Sequence, residues 1–157
     1  MIEKCHRPDV SLRRATIKDL PDIVPLWSSL VMEENPKAHP NVKMWSDLQE
    51  CLFPNNQYYC YVAEIDGRII GFNNGLLLTD METGNQYLEG GHFYVLPDHR
   101  KSMAGFKLHR NGMDVARATG AKFLRRKVSA GNKRMMDRLN RGIGTIKEYV
   151  VDEGVTR

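Results

Sequence analysis

Cysteine is scarce in this 157-residue chain: Cys5, Cys51 and Cys60 are the whole complement. Three is an odd number, and the spacing fits neither a zinc site nor a Cys-x-x-Cys redox pair. Reduced thiols in a reducing, cytoplasmic compartment are therefore expected. The histidines His6, His39, His92, His99 and His109 are scattered without paired metal-ligand spacing, so no metal is expected. No apolar run approaches the roughly 18 residues that a bilayer span needs. The stretch from Met1 to Asp9 is polar and lacks the apolar centre of a signal peptide. A soluble protein with no membrane partner is the expectation. Repeats, low-complexity tracts and linkers are absent too, which leaves residues 1–157 as a single domain. A domain of this size buries roughly two thirds of its unfolded surface and needs no covalent staple.

Negative charge is nearly missing from one region. Between Arg100 and Arg141 only Asp114 and Asp137 oppose a dense series of lysines and arginines. Two readings follow: a solvated basic surface, or an anion site for phosphates or nucleic acid.

Punctuation and periodicity divide the rest. Ser11 to Arg14 reads as a short strand. Thr16 and Asp19 have capping-box spacing, and Pro21 falls in a first helical turn. Leu20, Ile23, Val24, Trp27, Leu30 and Val31 recur at helical spacing up to Pro36, with Pro25 a site for a kink. A second helix is predicted from about Asn41 to Leu52, with Val42, Trp45, Leu48 and Leu52 as its apolar stripe. Tyr58 to Ile65, an Asp66-Gly67 turn and Arg68 to Leu78 read as a hairpin. Gln86 to Leu96 is the next strand, with a bulge suggested at Gly90-Gly91. A helix from about Ala104 to Thr119 is closed by Gly120. A strand at Phe123 to Val128, a short helix at Asn132 to Arg141 and a strand at Thr145 to Val151 follow. The order β-α-α-β-β-β-α-β-α-β describes an α+β fold with a mixed, mostly antiparallel sheet flanked by helices. A dinucleotide-binding Rossmann fold needs parallel βαβ units and a G-x-G-x-x-G turn, and the Asp66-Gly67 hairpin argues against it.

The stretch that carries chemistry is Arg100-Lys101-Ser102-Met103-Ala104-Gly105, between a strand and a helix. A helix start offers unpaired N–H groups and the positive end of its dipole. Two basic residues add charge, and Ser102, Ala104 and Gly105 are small enough for a phosphate to approach the backbone. The arrangement suits a pyrophosphate.

In order along the chain, Leu12-Arg13-Arg14-Ala15-Thr16 with Asp19-Leu20, Tyr59 to Phe72, Phe93 to Arg100 and Asn132 resemble the GNAT acetyltransferase family over nearly its whole length. The resemblance implies a GNAT-like fold, acetyl-coenzyme A as co-substrate and acetyl transfer to a primary amine of a small molecule, peptide or protein by direct attack on the thioester. It implies that Phe93, Tyr94 and Val95 pair with the pantetheine arm, an N–H near Tyr94 or Val95 polarising the thioester carbonyl. Arg100, Lys101, Ser102, Met103, Ala104, Gly105 and Phe106 would hold the pyrophosphate, with Asn132 touching the cofactor. Two positions depart from the family pattern. Met103 stands where the first loop glycine is usual, and Leu139 where many members carry a tyrosine that protonates the thiolate. Tyr149 and Tyr94 are the candidate substitutes.

An attacking amine must be neutral, yet a lysine-type amine has a pKa of about 10.4. A general base is therefore expected. Glu89 and His92 are the candidates. Alternation puts Glu89 with Phe93 and Val95 and His92 on the opposite face, unless a bulge reverses the parity; Glu89 is favoured. Glu33 and Glu34 are candidates to hold a cationic acceptor, on the side opposite the phosphates. Trp27, Trp45, Tyr58 and Tyr59 read as core more readily than as an acceptor pocket. The last strand leaves an edge that a second copy would cover as a homodimer. A protein of this fold acting on nucleic acid, and a non-catalytic coenzyme A-binding module, are the alternatives.

Overall fold

The computed structural model describes residues 9–129 and 148–152, with the backbone alone for 127–129 and 148–152. Among the described residues six strands form one sheet in chain order: β1 (Ser11–Arg14), β2 (Tyr58–Ile65), β3 (Arg68–Thr79), β4 (Gln86–Val95), β5 (Leu124–Ser129) and β6 (Glu148–Asp152). Strands β1 to β4 run antiparallel, whereas β5 pairs parallel with β4 and with β6. Among the described residues three long helices flank it: α1 (Leu20–Glu34), α2 (Val42–Leu52) and α3 (Ala104–Ala118). The helix expected at Asn132 to Arg141 lies outside the described residues. None of the described helices is long and apolar enough to cross a membrane.

Local chemistry sets the element ends. The Asp19 carboxylate accepts from the Thr16 N–H at 2.8 Å, completing the capping box ahead of α1. The same carboxylate receives both terminal nitrogens of Arg13 at 2.8 Å, tying β1 to that turn. Asn41 caps α2 by accepting from the Met44 N–H at 3.0 Å. Gly120, at φ +74°, closes α3.

Helices α1 and α2 cover one face of the sheet. Ile23, Leu26, Trp27 and Trp45 pack there on Tyr58, Cys60, Val62, Phe72 and Tyr94. Trp27 and Trp45 stack with ring centroids 4.6 Å apart. Helix α3 covers the other face, where Ala104 and Leu108 meet Ile70 and Val95, and Met113 and Ala116 meet Tyr59, Leu88 and Leu124. Burial pushes the Cys60 thiol up to about 12, so it stays an inert thiol in the core.

The stripe expected on α2 is rotated. Val42 and Leu48 are exposed, and the buried positions are Trp45 and Gln49. Gln49 is buried because its side-chain oxygen accepts from the Tyr58 hydroxyl at 2.5 Å, which removes the cost of burying an amide.

Candidate active site

The sheet opens at one place. Strand β4 pairs with β5 only at Leu88↔Leu124, Glu89↔Arg125 and Gly90↔Arg126. Beyond Gly90 the two strands part, while β4 keeps its β3 partners at Phe93, Tyr94 and Val95. A wedge therefore separates the end of β4 from β5.

A bulge lies at its apex. Asn73 opposes Phe93 and Gly75 opposes Gly90, so Asn74 alone faces Gly91 and His92. The Asn74 side-chain oxygen accepts from the His92 N–H at 2.6 Å, and its amide nitrogen donates to the Tyr58 hydroxyl at 3.2 Å. The bulge corrects the simple alternation. Glu89 pairs with Leu76, which packs on the α1/α2 core, and His92 packs on Trp45 and Phe72 at 5.9 and 6.4 Å. Both candidate bases thus sit on the α1/α2 face, whereas Phe93 and Val95 pack toward α3. Glu89 is half-buried. Burial pushes the His92 pKa below its ordinary value, and its buried Nδ1 has no hydrogen-bond partner among the described residues. A neutral imidazole is the form that can accept a proton.

The bulge also sorts the backbone groups along the wedge. The Leu96 N–H donates to the Ile70 carbonyl at 2.9 Å. Alternation then turns the groups of Tyr94 toward β3 and the N–H groups of Phe93 and Val95 toward the wedge. Tyr94 is therefore removed as a thioester-polarising N–H, and its ring is buried on the α1/α2 face.

At the open end, a short turn (Pro97–His99) leads into α3. Ser102 Oγ donates to the His99 carbonyl at 2.5 Å and accepts from the Ala104 N–H at 3.2 Å. The N–H groups of Gly105 and Phe106 belong to the first turn of α3, which has no intrahelical acceptor for them. A Cβ added at Gly105 would meet only the Phe93 ring, at 3.9 Å, so packing alone does not demand glycine there. Met103 and Lys101 are exposed, and Ala104 is fully buried.

Arg100 and Glu33, assigned from sequence to opposite ligands, are brought together. Both carboxylate oxygens of Glu33 accept from Arg100 Nη2, at 2.8 and 2.6 Å. Arg100 Nε donates to the Val95 carbonyl at 3.0 Å, and the guanidinium lies 5.4 Å from the Tyr94 ring centroid. Glu34 is exposed at the end of α1. Tyr149 falls opposite Arg126 in the β5–β6 ladder, its side chain outside the described residues, as is all of Asn132. Trp27, Trp45, Tyr58 and Tyr59 are core residues.

Among the described residues, the basic region does not form one uniform surface. Lys107 donates to the Val10 carbonyl at 2.7 Å, Arg117 pairs with Asp114, and Arg125 lies over the Tyr87 and Phe123 rings. Arg126 is buried. Among the described residues no group of three or more His, Cys, Asp or Glu is placed to hold a metal ion. Sequence reasoning passed over Asn74 and Arg126 as site residues. A polar or charged residue inside an apolar strand pattern was the available signal.

Solved structures share the overall fold. The aminoglycoside N-acetyltransferase AAC(6')-Iy, solved with CoA, superposes with a TM-score of 0.71 at 18% identity, covering 98% of this chain and 99% of that one. An aminoglycoside acetyltransferase from an uncultured soil metagenomic sample, solved with sisomicin, gives 0.69 at 18% identity over 94% and 96%. Glucosamine-6-phosphate N-acetyltransferase from Arabidopsis thaliana gives 0.69 at 14% identity over 88% and 95%. No curated protein sequence matches at a significant level. The acetyltransferase (GNAT) family model matches residues 24–145. With most of its length under that match, the chain belongs to the GNAT family of acetyltransferases, enzymes that use acetyl-coenzyme A to acetylate an amine.

Proposed function

We propose that residues 1–157 act as one N-acetyltransferase domain, with the wedge between β4 and β5 as the donor site and the α1/α2 face as the acceptor side. The observation that carries this reading is the departure of β4 from β5 at Gly90, directly beside the bulge that puts Glu89 and His92 on one face. The pantetheine arm supplies amides that match the outward N–H groups of Phe93 and Val95. The thioester it bears supplies the acetyl group and a leaving thiol. The first turn of α3, with Arg100, Lys101 and Ser102 before it, suits the pyrophosphate through its N–H groups and dipole.

The residues of this chain then have separable tasks. The N–H of Phe93 or Val95 stabilises charge developing on the carbonyl oxygen; such a donor is worth about 2.7–4 kcal/mol of barrier. Glu89, with His92 as the second candidate, takes the proton of the attacking amine, directly or through water. Trp45 and Phe72 hold the His92 ring in place. The acceptor is a primary amine on a small molecule, peptide or protein, and the reduced cysteines fit a cytoplasmic enzyme. The exposed carboxylate of Glu34 offers a cation a contact at the rim.

Calorimetry with acetyl-coenzyme A, followed by turnover against a panel of amines, tests the reading. Saturable donor binding and amine-dependent thiol release are expected. Absence of donor binding would end it. Nucleic-acid binding that survives saturating coenzyme A, with a log–log salt slope of about −0.9 per phosphate contacted, would promote the nucleic-acid alternative.

A further inference from the structure

Arg126 has no task in the scheme above. It is 4% exposed, and its Nε and Nη2 have no hydrogen-bond partner among the described residues. Its guanidinium lies 5.2 Å from the centroid of the Phe93 ring. An arginine does not deprotonate to relieve burial. Among the described residues no carboxylate pairs with this cation, and the chain makes room for it. A Cβ on Gly112 would lie 2.8 Å from Nη2, and one on Gly90 would lie 3.0 Å from Cγ. Glycine within a helix is unfavourable, and so is an unpaired buried charge. Both occur at one point.

That point is the apex of the wedge. Gly90↔Arg126 is the last rung of the β4–β5 ladder. The guanidinium reaches from there along the α3 face to Phe93, whose N–H is turned toward the wedge. Among the described residues, the titratable groups facing it are the Tyr59 hydroxyl from β2 and, across the Phe93 ring, His109 from α3. Glu89 and His92 lie on the other face.

Acyl transfer creates an anion in this region; the inference rests on the function proposed above. As the acceptor nitrogen bonds to the acetyl carbon, the C–S bond breaks and its electron pair passes to sulfur. The nitrogen's proton passes to Glu89 or His92. The sulfur needs either a proton or a counter-charge, and Leu139 stands where many family members carry the tyrosine that gives the proton. We propose that Arg126 is the counter-charge: its guanidinium neutralises the thiolate, which leaves as an anion and takes a proton from water after release.

The test compares coenzyme A with desulfo-coenzyme A, which lacks the sulfur, by calorimetry on the full chain from pH 6.5 to 9.5. A cation at the sulfur favours the bound thiolate. The affinity ratio of the two ligands should rise about tenfold for each unit by which the bound thiol falls below its ordinary pKa of about 8.5, then level off above that pH. Arg126→Met should flatten the rise, Arg126→Lys should restore much of it, and desulfo-coenzyme A should bind all three proteins alike. Turnover of Arg126→Met should fall roughly 10²-fold or more. A flat ratio in the wild type, with both ligands bound, overturns the proposal and leaves the acetyltransferase reading standing. Failure of both ligands to bind the wild type overturns that reading too. The wild-type measurement decides even where Arg126→Met does not fold.

Discussion

The N–H of His92 ends on the side chain of Asn74, 2.6 Å away, at a rung where two residues of β4 oppose one of β3. The same asparagine donates to the Tyr58 hydroxyl, which donates to Gln49 on α2. One buried side chain thus sets the bulge and links it to the helix on the acceptor side. Asn74→Ala would leave the His92 N–H and one bond of Tyr58 unmade. A loss of about 1–3 kcal/mol is expected in urea unfolding, with a fall in kcat. Full activity in a stably folded variant would show that the bulge holds without Asn74.

His92 gives a signed pH dependence. Its folded pKa lies below the ordinary value of 6.5 because burial disfavours the charged ring. Its contribution to stability is therefore complete above that value and declines as the pH falls toward the folded pKa, because the unfolded chain takes up the proton first. His92→Asn should flatten the part of the stability–pH curve below pH 6.5. An identical curve for wild type and variant would rule out a depressed His92 pKa.

Glu33 holds the arginine that the phosphates would use. Both partners of this pair are nearly half exposed, so Glu33→Gln should change stability by no more than about 1 kcal/mol. It should tighten acetyl-coenzyme A binding by up to about fivefold, by freeing Arg100. Weaker binding would mean instead that Glu33 presents Arg100 to the donor.

Gly75 allows β3 and β4 to approach above Tyr59. A Cβ there would lie 2.4 Å from the Glu89 carbonyl oxygen and 2.5 Å from the Tyr59 ring. Backbone cannot yield as a flexible side chain does, so Gly75→Ala should cost about 1–3 kcal/mol. Thermal unfolding would show it, and an unchanged midpoint would be inconsistent with this register.

Local chemistry explains which parts of the molecule could be read from sequence. The capping box at Thr16 and Asp19, the hairpin turn at Asp66-Gly67 and the glycine closing α3 depend on neighbours within a few residues, and each stands as expected. The face of α2 was missed because Gln49 is buried by a hydrogen bond to Tyr58, a partner on a strand. Periodicity counts apolar residues and cannot see that bond. The bulge was suggested by Gly90-Gly91 but falls on Gly91-His92, because Asn74 on the facing strand decides the rung. The Arg100–Glu33 pair joins residues 67 positions apart. No local pattern announces such a contact, so two acidic and basic candidates were assigned to different ligands.

The wedge has a consequence for the order of events. From Phe93 to Val95, β4 is supported by β3 but by no ladder to β5, so half of its backbone groups face the gap. A pantetheine arm laid along that edge would serve as an extra strand and complete the sheet. The donor would then act as scaffold as well as reagent, and amide exchange at Phe93 and Val95 should slow when it binds. The bulge adjoins this edge, so the wall presented to the acceptor would be firm only after the donor is seated. Entry of the donor before the acceptor would then follow from an incomplete sheet, without a moving lid.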